Sequence, residues 1–193
     1  MSDFLDKKQL RLEALRSRDA IGPILRAEAS MALALHLAAL DPRPDDIVAG
    51  YMPIRSEIDP RPLMHALAAG GMRLCSPALL DRTTLVFREM IKGAPLVDTG
   101  FGTVGPGPEA AEVRPNLILL PLAGFDRYGN RLGYGAGHYD RVIAAMHGSG
   151  HRPRLIGLAF AAQELPAIPA EEHDIRLDGI LTENGLRQFE AHA

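Results

Sequence analysis

The sequence predicts an α/β fold with three layers, α/β/α, in which a mainly parallel central sheet carries the N-terminal helices packed on it. Short apolar runs alternate with helical patterns along most of the chain, an order typical of parallel sheets covered by helices. The run at residues 117–120 is uninterruptedly apolar, as expected for a central strand buried on both faces. A length of 193 residues and an apolar content of 47% suit a single domain, residues 1–193, with a sizeable core.

Helical patterns begin at the N-terminus. Residues 3–40 are predicted as helix with a break near Gly22-Pro23, because proline disfavours the helical conformation in the residue before it. A second helix is predicted at 60–69, where Asp59 is well placed as the N-cap and proline occupies the first helical position. A third is predicted at 139–147.

The predicted strands are short and separated by turns or helices. They are residues 47–52, 73–76, 85–89, 117–120, 155–160 and 179–181. Two segments rich in glycine, proline and acidic residues are predicted as connections, namely residues 93–115 and 165–178.

Composition argues against several classes of protein. The formal net charge of −3 gives no basic excess for nucleic acid, and aromatic residues make up only 5% with no tryptophan to stack on bases. No apolar run approaches the roughly 18 residues that span a bilayer, and the N-terminal residues do not resemble a secretory signal. We therefore expect a cytoplasmic monomer with no nucleic-acid or membrane partner. The single cysteine, Cys75, is expected to be a buried small side chain rather than a reactive thiol.

The most informative segment is the glycine loop, residues 131–139, which follows the central strand and precedes a helix. Gly133, Gly135 and Gly137 permit positive φ, so that successive N–H groups can converge on an anion. The helix start that follows adds roughly half a positive charge. Because a plain turn would also use glycines, the spacing alone leaves phosphate binding and a simple turn about equally favoured.

Two neighbouring residues refine that reading. His138 stands where a G-x-G-x-x-G motif would have its last glycine, and no Gly-Lys-Ser/Thr follows, so neither common nucleotide motif is present. Arg131 favours phosphate, because its planar cation suits phosphate oxygens.

Charged residues elsewhere are ambiguous from the sequence alone. Lys7 and Arg11 are helical neighbours that can act together with Lys8, although a solvated basic face is the more favoured reading. Glu57 follows a predicted strand, at the sheet edge where α/β proteins bind ligands, or is a surface acid. Asp59 is better explained as a helix cap.

Two separated carboxylates, Asp140 and Asp174, could hold Mg²⁺, which keeps several waters and needs few protein ligands. The alternative, which the residues alone favour, is that Asp140 simply stabilises a helix start. Four histidines lack ligand spacing: His36, His65, His147 and His151.

Together these segments resemble the 5-formyltetrahydrofolate cyclo-ligase family, also called methenyltetrahydrofolate synthetases, over nearly the whole chain. The longest matching segment is the signature Phe-Asp-x-x-Gly-Asn-Arg-Leu-Gly-Tyr-Gly-x-Gly at residues 125–137. The flanking pieces keep the family order: Lys-x-x-x-Arg at 7–11, Met-Pro-x-x-x-Glu-Ile-Asp at 52–59, Tyr-Asp-Arg at 139–141, Leu-Ile-Gly-Leu-Ala-Phe at 155–160 and Glu-His-Asp at 172–174.

The resemblance implies an enzyme that converts 5-formyltetrahydrofolate to 5,10-methenyltetrahydrofolate with ATP as co-substrate and Mg²⁺ as cofactor. It implies ATP contacts at Lys7, Lys8, Gln9, Leu10, Arg11, Arg131, Leu132, Gly133, Tyr134, Gly135, Ala136, Gly137, His138 and Tyr139. It implies substrate contacts at Arg11, Met52, Glu57, Tyr134, Gly135, Ala136, Gly137 and His138. Magnesium would lie on Asp140 and Asp174, and the catalytic cations would be Lys7, Arg11 and Arg131.

One residue departs from the family pattern. His138 stands where the family usually has the first residue of an aromatic pair, whereas Tyr139 and Asp140 match. Two other classes of function stay open: a non-catalytic module that binds folate or nucleotide, and a sugar-phosphate isomerase-type enzyme that needs no ATP.

Overall fold

The computed structural model describes residues 6–99, 102–171 and 174–190. The helices are α1 (Lys7–Asp19), α2 (Pro23–Leu35), α3 (Arg61–Ala69) and α4 (His138–Gly148), with single 3₁₀ turns at Leu37–Leu40 and Ala161–Gln163. The predicted break near Gly22-Pro23 is confirmed, with Pro23 at the first helical position of α2. Helix α3 begins one residue later than predicted, because Pro60 takes the N-cap position while the Asp59 carboxylate accepts the Arg61 N–H at 2.9 Å.

The strands are β1 (Ile47–Ala49), β2 (Arg73–Leu79), β3 (Leu85–Glu89), β4 (Leu96–Asp98), β5 (Val104–Pro106), β6 (Leu117–Pro121), β7 (Gly124–Asp126), β8 (Arg131–Leu132), β9 (Arg154–Leu158), β10 (Glu164–Leu165), β11 (Gly179–Thr182) and β12 (Gly185–Gln188). Within the described residues the largest sheet has seven strands in the order β12-β11-β9-β6-β1-β2-β3. Its five inner strands are parallel and its two edge strands antiparallel, so the predicted mainly parallel sheet is confirmed.

Strand β6 shows why helices cover both faces of this sheet. Successive side chains in a strand point to opposite faces. Leu117 and Leu119 belong to the apolar cluster that includes α2 and α3, whereas Ile118 and Leu120 belong to the cluster that includes α4. All four are at most 4% exposed, which a strand can achieve only when each face is covered. The three-layer α/β/α arrangement follows from this alternation.

The predicted connection at residues 93–115 was wrong in part, because it contains the antiparallel pair β4–β5. The polar run after β6 likewise forms a hairpin, β7–β8, which joins β10 in a second small sheet. These strands have two or three residues each, too few for an apolar alternation to show in the sequence. Buried Asp126 fixes the hairpin, since its carboxylate accepts the backbone N–H groups of Tyr128, Asn130 and Ile168.

The first helix packs on this small sheet, while α2 lies against the central one. Leu10 and Ala14 of α1 form an apolar cluster with Ala123, Leu132 and Leu165. As a result, Arg11 of α1 lies beside the glycine loop. Across residues 6–99, 102–171 and 174–190, no helix combines the length and apolar character needed to cross a membrane.

Candidate active site

A cavity of about 650 Å³ lies at the carboxyl edge of the central sheet. Met52 follows β1 and Pro121 ends β6, and both line it. This is the edge at which open α/β sheets bind ligands. The wall also includes Lys7 and Arg11 of α1, which reach the cavity because α1 packs on the neighbouring hairpin.

The glycine loop forms one side of this cavity, and residues 131–139 all contribute to the lining. Gly135 has φ +95° and Gly137 has φ +64°, values that side chains other than glycine rarely adopt. Helix α4 begins directly after Gly137, so its first N–H groups lie at the end of the loop. Arg11 Nε donates to the Gly133 carbonyl oxygen at 2.7 Å and ties the loop to α1.

Arg131 is a nearly buried cation within this lining. Its side chain is 6% exposed, and Nη2 donates to Asp140 Oδ1 at 2.5 Å. Its Nε is buried and has no hydrogen-bond partner among the described residues. A buried donor without a partner is costly, so this position favours a ligand that supplies an acceptor oxygen.

Lys7 is the second cation of the cavity and lies between two acids. Its Nζ is 2.6 Å from Asp174 Oδ2 and 2.8 Å from Glu171 Oε1. Burial alone would lower the pKa of Lys7, but the hydrogen bonds to the two carboxylates outweigh it and raise the pKa. Lys7 therefore stays charged throughout the physiological range.

The two carboxylates predicted to hold magnesium, Asp140 and Asp174, both line the cavity, each paired with a cation. In the part of the chain that the structure describes, no group of three or more His, Cys, Asp or Glu side chains could hold a metal. A pair of carboxylates suits Mg²⁺ nevertheless, because this ion keeps several waters and takes its remaining ligands from phosphates.

A further part of the cavity wall carries Met52 and Glu57, and Tyr134 of the glycine loop lies next to Glu57. Glu57 Oε2 accepts the Ile54 N–H at 2.8 Å, and the Tyr134 side chain lies near the Glu57 carboxylate. Burial raises the pKa of Glu57, and the neighbouring Tyr134 hydroxyl and the Ile54 N–H offset the rise only in part. Burial also raises the pKa of Tyr134, so its hydroxyl stays protonated and can donate.

Arg18, a residue that the sequence analysis did not assign to the site, lies behind the cavity lining and contacts Tyr134. Arg18 is 2% exposed and donates to the Ser56 hydroxyl at 3.0 Å and to the Tyr134 hydroxyl at 2.6 Å. Arg18 follows Arg11 by seven residues, so both lie on one face of α1. That spacing was visible in the sequence, but only the fold shows that Arg18 turns inward.

Some predicted ATP contacts lie away from the cavity lining that the described residues form. Lys8 and Gln9 are exposed on α1, and the Leu10 side chain packs in the apolar cluster beneath the helix. Their contacts with ATP stay predictions. His138 does line the cavity, with Nδ1 3.0 Å from Arg141 Nη2. Burial and the nearby Arg141 charge lower the pKa of His138.

Cys75 lies on strand β2 with its side chain buried in the apolar cluster that includes α4, and burial raises the pKa of its thiol to about 12. The prediction of a buried structural cysteine is confirmed, because a protonated, enclosed thiol is a poor nucleophile.

These observations define an α/β protein with a cavity at the carboxyl edge of its sheet, lined in part by a glycine loop and by the cations Lys7, Arg11 and Arg131. The chain belongs to the 5-formyltetrahydrofolate cyclo-ligase family, whose model matches residues 4–183. It is thus an enzyme of the cyclo-ligase class.

Individual relatives support this assignment. The chain is 30% identical over 184 residues to the 5-formyltetrahydrofolate cyclo-ligase of Mycolicibacterium smegmatis, covering 91% of this chain and 93% of the relative. It is 28% identical over 182 residues to that of Haemophilus influenzae, covering 91% and 96%. The solved 5,10-methenyltetrahydrofolate synthetase of Aquifex aeolicus superposes with a TM-score of 0.79 at 25% identity, covering 97% of this chain and 94% of that one. The synthetase of Mycoplasma pneumoniae has the same fold, with a TM-score of 0.74 at 24% identity over 93% and 99% of the two chains.

Proposed function

We propose that this protein cyclises 5-formyltetrahydrofolate to 5,10-methenyltetrahydrofolate, using ATP and Mg²⁺ and releasing ADP and phosphate. The observation that carries the proposal is the convergence of distant segments on one cavity. Lys7 and Asp174 are 167 residues apart in the chain, yet their side chains form an ion pair at its wall. The cavity therefore combines a phosphate-type loop, fixed cations, two carboxylates and an acceptor carboxylate for a second ligand.

The nucleotide phosphates would lie on the glycine loop. Its positive-φ glycines allow close approach of backbone, and the start of α4 favours negative charge. Arg131 and Lys7 would neutralise the phosphates, with the unpartnered Arg131 Nε directed to an oxygen. Arg11 would act both on the nucleotide and on the loop that it holds through Gly133.

The folate would lie against Met52 and Glu57. A pterin ring presents an amino group and ring N–H donors along one edge, and an ionised carboxylate accepts such a pair. Met52 supplies a polarisable apolar surface for the ring. Glu57 already accepts the Ile54 N–H, so its orientation is set before the ligand arrives.

The chemistry needs activation of a weak electrophile. The formyl oxygen attacks the γ-phosphorus of ATP, the bond to the β-phosphate oxygen breaks, and ADP leaves. Folate N10 then attacks the formyl carbon, and this new bond closes the ring. N10 loses its proton, and phosphate departs with the former formyl oxygen. Such steps require positioning and charge neutralisation rather than a side-chain nucleophile, and the described lining offers cations and amides for that purpose.

Asp140 and Asp174 are carboxylates of the kind that would hold magnesium, and the bound ion would supply positive charge beside the transferring phosphoryl group. Arg131 and Lys7 now pair with these carboxylates, and they would share them with phosphate oxygens in the loaded enzyme.

The test is spectroscopic. Purified protein with 5-formyltetrahydrofolate, ATP and Mg²⁺ should produce the methenyl absorption band together with equimolar ADP and phosphate. Binding without turnover would instead indicate a binding module, and turnover of a sugar phosphate without ATP an isomerase. Arg131→Met should lower kcat/KM by about 100-fold or more, since it removes from the cavity a fixed positive charge that would stabilise the transition state. Arg127→Met is the matched control, because Arg127 is exposed on the same hairpin and does not line the cavity.

A further inference from the structure

A second cavity, of about 520 Å³, lies at the edge of the central sheet opposite to the glycine-loop cavity described above. We call it the amino-edge cavity, because it lies where Arg154 begins β9 and where Asp178 precedes β11, two parallel neighbouring strands. His147, in the last turn of α4, also lines it. The described lining of this cavity includes no residue of the glycine loop or of α1, so its chemistry is separate from that of the candidate active site.

The amino-edge cavity is rich in arginine. Its lining includes three arginines and two acids, namely Arg152, Arg154, Arg176, Asp41 and Asp178. Arg152 and Arg176 form no ion pair or hydrogen bond with any residue that the structure describes. Arg154 Nη1 donates to an uncharged acceptor, the Leu40 carbonyl oxygen, at 2.5 Å. Asp178 Oδ2 accepts the Leu155 N–H at 2.7 Å. The acids of the lining therefore leave two arginines without an ionic partner in the described part of the chain.

Arg176 also carries a buried polar atom that the fold leaves unsatisfied. Its Nε is buried and has no hydrogen-bond partner among residues 6–99, 102–171 and 174–190, as is true of Arg131 Nε in the glycine-loop cavity. A buried donor without an acceptor costs stability, and no described contact of Arg176 offsets that cost. A ligand that brings acceptor oxygens would satisfy this donor.

The end of α4 does not account for these cations. Basic side chains are favoured near the last carbonyl groups of a helix, because they hydrogen-bond to those groups and interact with the helix dipole. Here the carbonyl oxygens of residues 145–147 already accept backbone N–H groups from residues 149–151. Arg152 follows directly in the chain and donates to none of these carbonyls within the described structure. Capping of the helix is therefore complete without Arg152.

We propose that the amino-edge cavity binds a phosphate monoester of a small organic molecule, with the phosphate held by Arg152 and Arg176. The planar fork of N–H groups in arginine matches the oxygens of a phosphate, and a dianion suits two arginines that have no ionic partner. The cavity is larger than a free phosphate needs and lies within the range of small-molecule pockets, about 300–1,000 Å³. Leu155, Ile175 and Phe189 supply apolar surface for the organic part of the ligand.

This site goes beyond the proposed function, and its test needs no turnover. The two cavities adjoin at Ile175, which lines both. The experiment must therefore distinguish them, and it does so by variants of arginines that line only the amino-edge cavity and by the addition of ATP.

The experiment is isothermal titration of the full-length protein with phenyl phosphate and with inorganic phosphate, each with and without ATP. We expect saturable binding of phenyl phosphate that persists in ATP and is tighter than that of inorganic phosphate. Arg152→Met and Arg176→Met should each weaken it about tenfold or more, the effect of losing one charge-assisted hydrogen bond. Arg114→Met is the matched control and should leave the affinity within about twofold of wild type. Arg114 is exposed near the end of α4, where its Nη1 contacts the Ser149 hydroxyl, and it lines neither cavity.

Three results would overturn the proposal: no saturable binding at millimolar concentrations, an affinity that both arginine variants leave unchanged, or complete displacement of the probe by ATP. Equal affinities for the two probes would overturn the assignment of an organic part. Melting without ligand tests a purely structural role. Arg176→Met should melt at or above the wild-type temperature because it removes an unsatisfied donor, whereas a lower melting temperature with unchanged phosphate affinity would contradict the proposal. If Arg176→Met does not fold, Arg152→Met at an exposed position gives the same outcomes.

Discussion

Replacing Gly135 by alanine tests whether the backbone of the glycine loop binds the nucleotide. Gly135 has φ +95°, and a Cβ added to it would meet no heavy atom within 4 Å. The substitution therefore introduces backbone strain without a steric clash inside the protein. A non-glycine residue in the left-handed region costs about 1–2 kcal/mol.

That cost can be relieved if the loop leaves its present conformation. The fraction of molecules with a binding-competent loop then falls, and the apparent dissociation constant rises by the same factor. Since 1.4 kcal/mol corresponds to tenfold, we expect the affinity for ATP to fall by about 5–30-fold. The folate KM should change less, because the Glu57 wall lies outside the strained segment.

Gly150→Ala is the matched control. Gly150 has φ +80°, equally open surroundings, and a position just after α4 that does not line the cavity. Calorimetric melting and ATP titration of both variants separate the two effects. Each substitution should lower the melting temperature by about 2–8 °C, and only Gly135→Ala should lower the affinity for ATP. Equal ATP affinities in the two variants would refute the idea that the Gly135 backbone conformation serves the nucleotide.

Three further predictions concern single side chains. Asp140→Asn should reduce kcat and shift the Mg²⁺ dependence to higher concentration, as measured by steady-state rates across a magnesium series; an unchanged magnesium dependence would remove Asp140 from the metal site. Glu57→Gln should weaken folate binding but raise the melting temperature at neutral pH. The reason is that the folded state raises the pKa of Glu57 above its ordinary 4.5. The contribution of Glu57 to the free energy of unfolding therefore decreases as the pH rises from 4.5 through the raised pKa of the folded state. The gain should vanish well below pH 4.5, and a gain that is independent of pH would contradict this account. Cys75, with a thiol pKa raised to about 12, should resist iodoacetamide at pH 8 in the native protein and react once urea unfolds it, as followed by mass spectrometry.

The layers of the fold could be predicted because burial determines local composition. The apolar run of β6 is a direct consequence of two covered faces, and the break between α1 and α2 follows from the restrictions that Pro23 places on Gly22. The hairpin β7–β8 could not be predicted in this way. Its strands are too short to show a period, and the buried carboxylate of Asp126 holds it through backbone N–H groups that sequence patterns do not reveal.

The sequence by itself determined which chemical groups are available. The glycine spacing, Arg131 and the N-terminal basic stripe were all evident as candidates, because side-chain type and local spacing are properties of the chain. Only the tertiary structure decided which of these groups meet. Lys7 reaches Asp174 because α1 packs on the small sheet, and Arg18 reaches Tyr134 for the same reason. Such contacts depend on packing between segments more than a hundred residues apart, and local sequence patterns do not show which distant segments pack together.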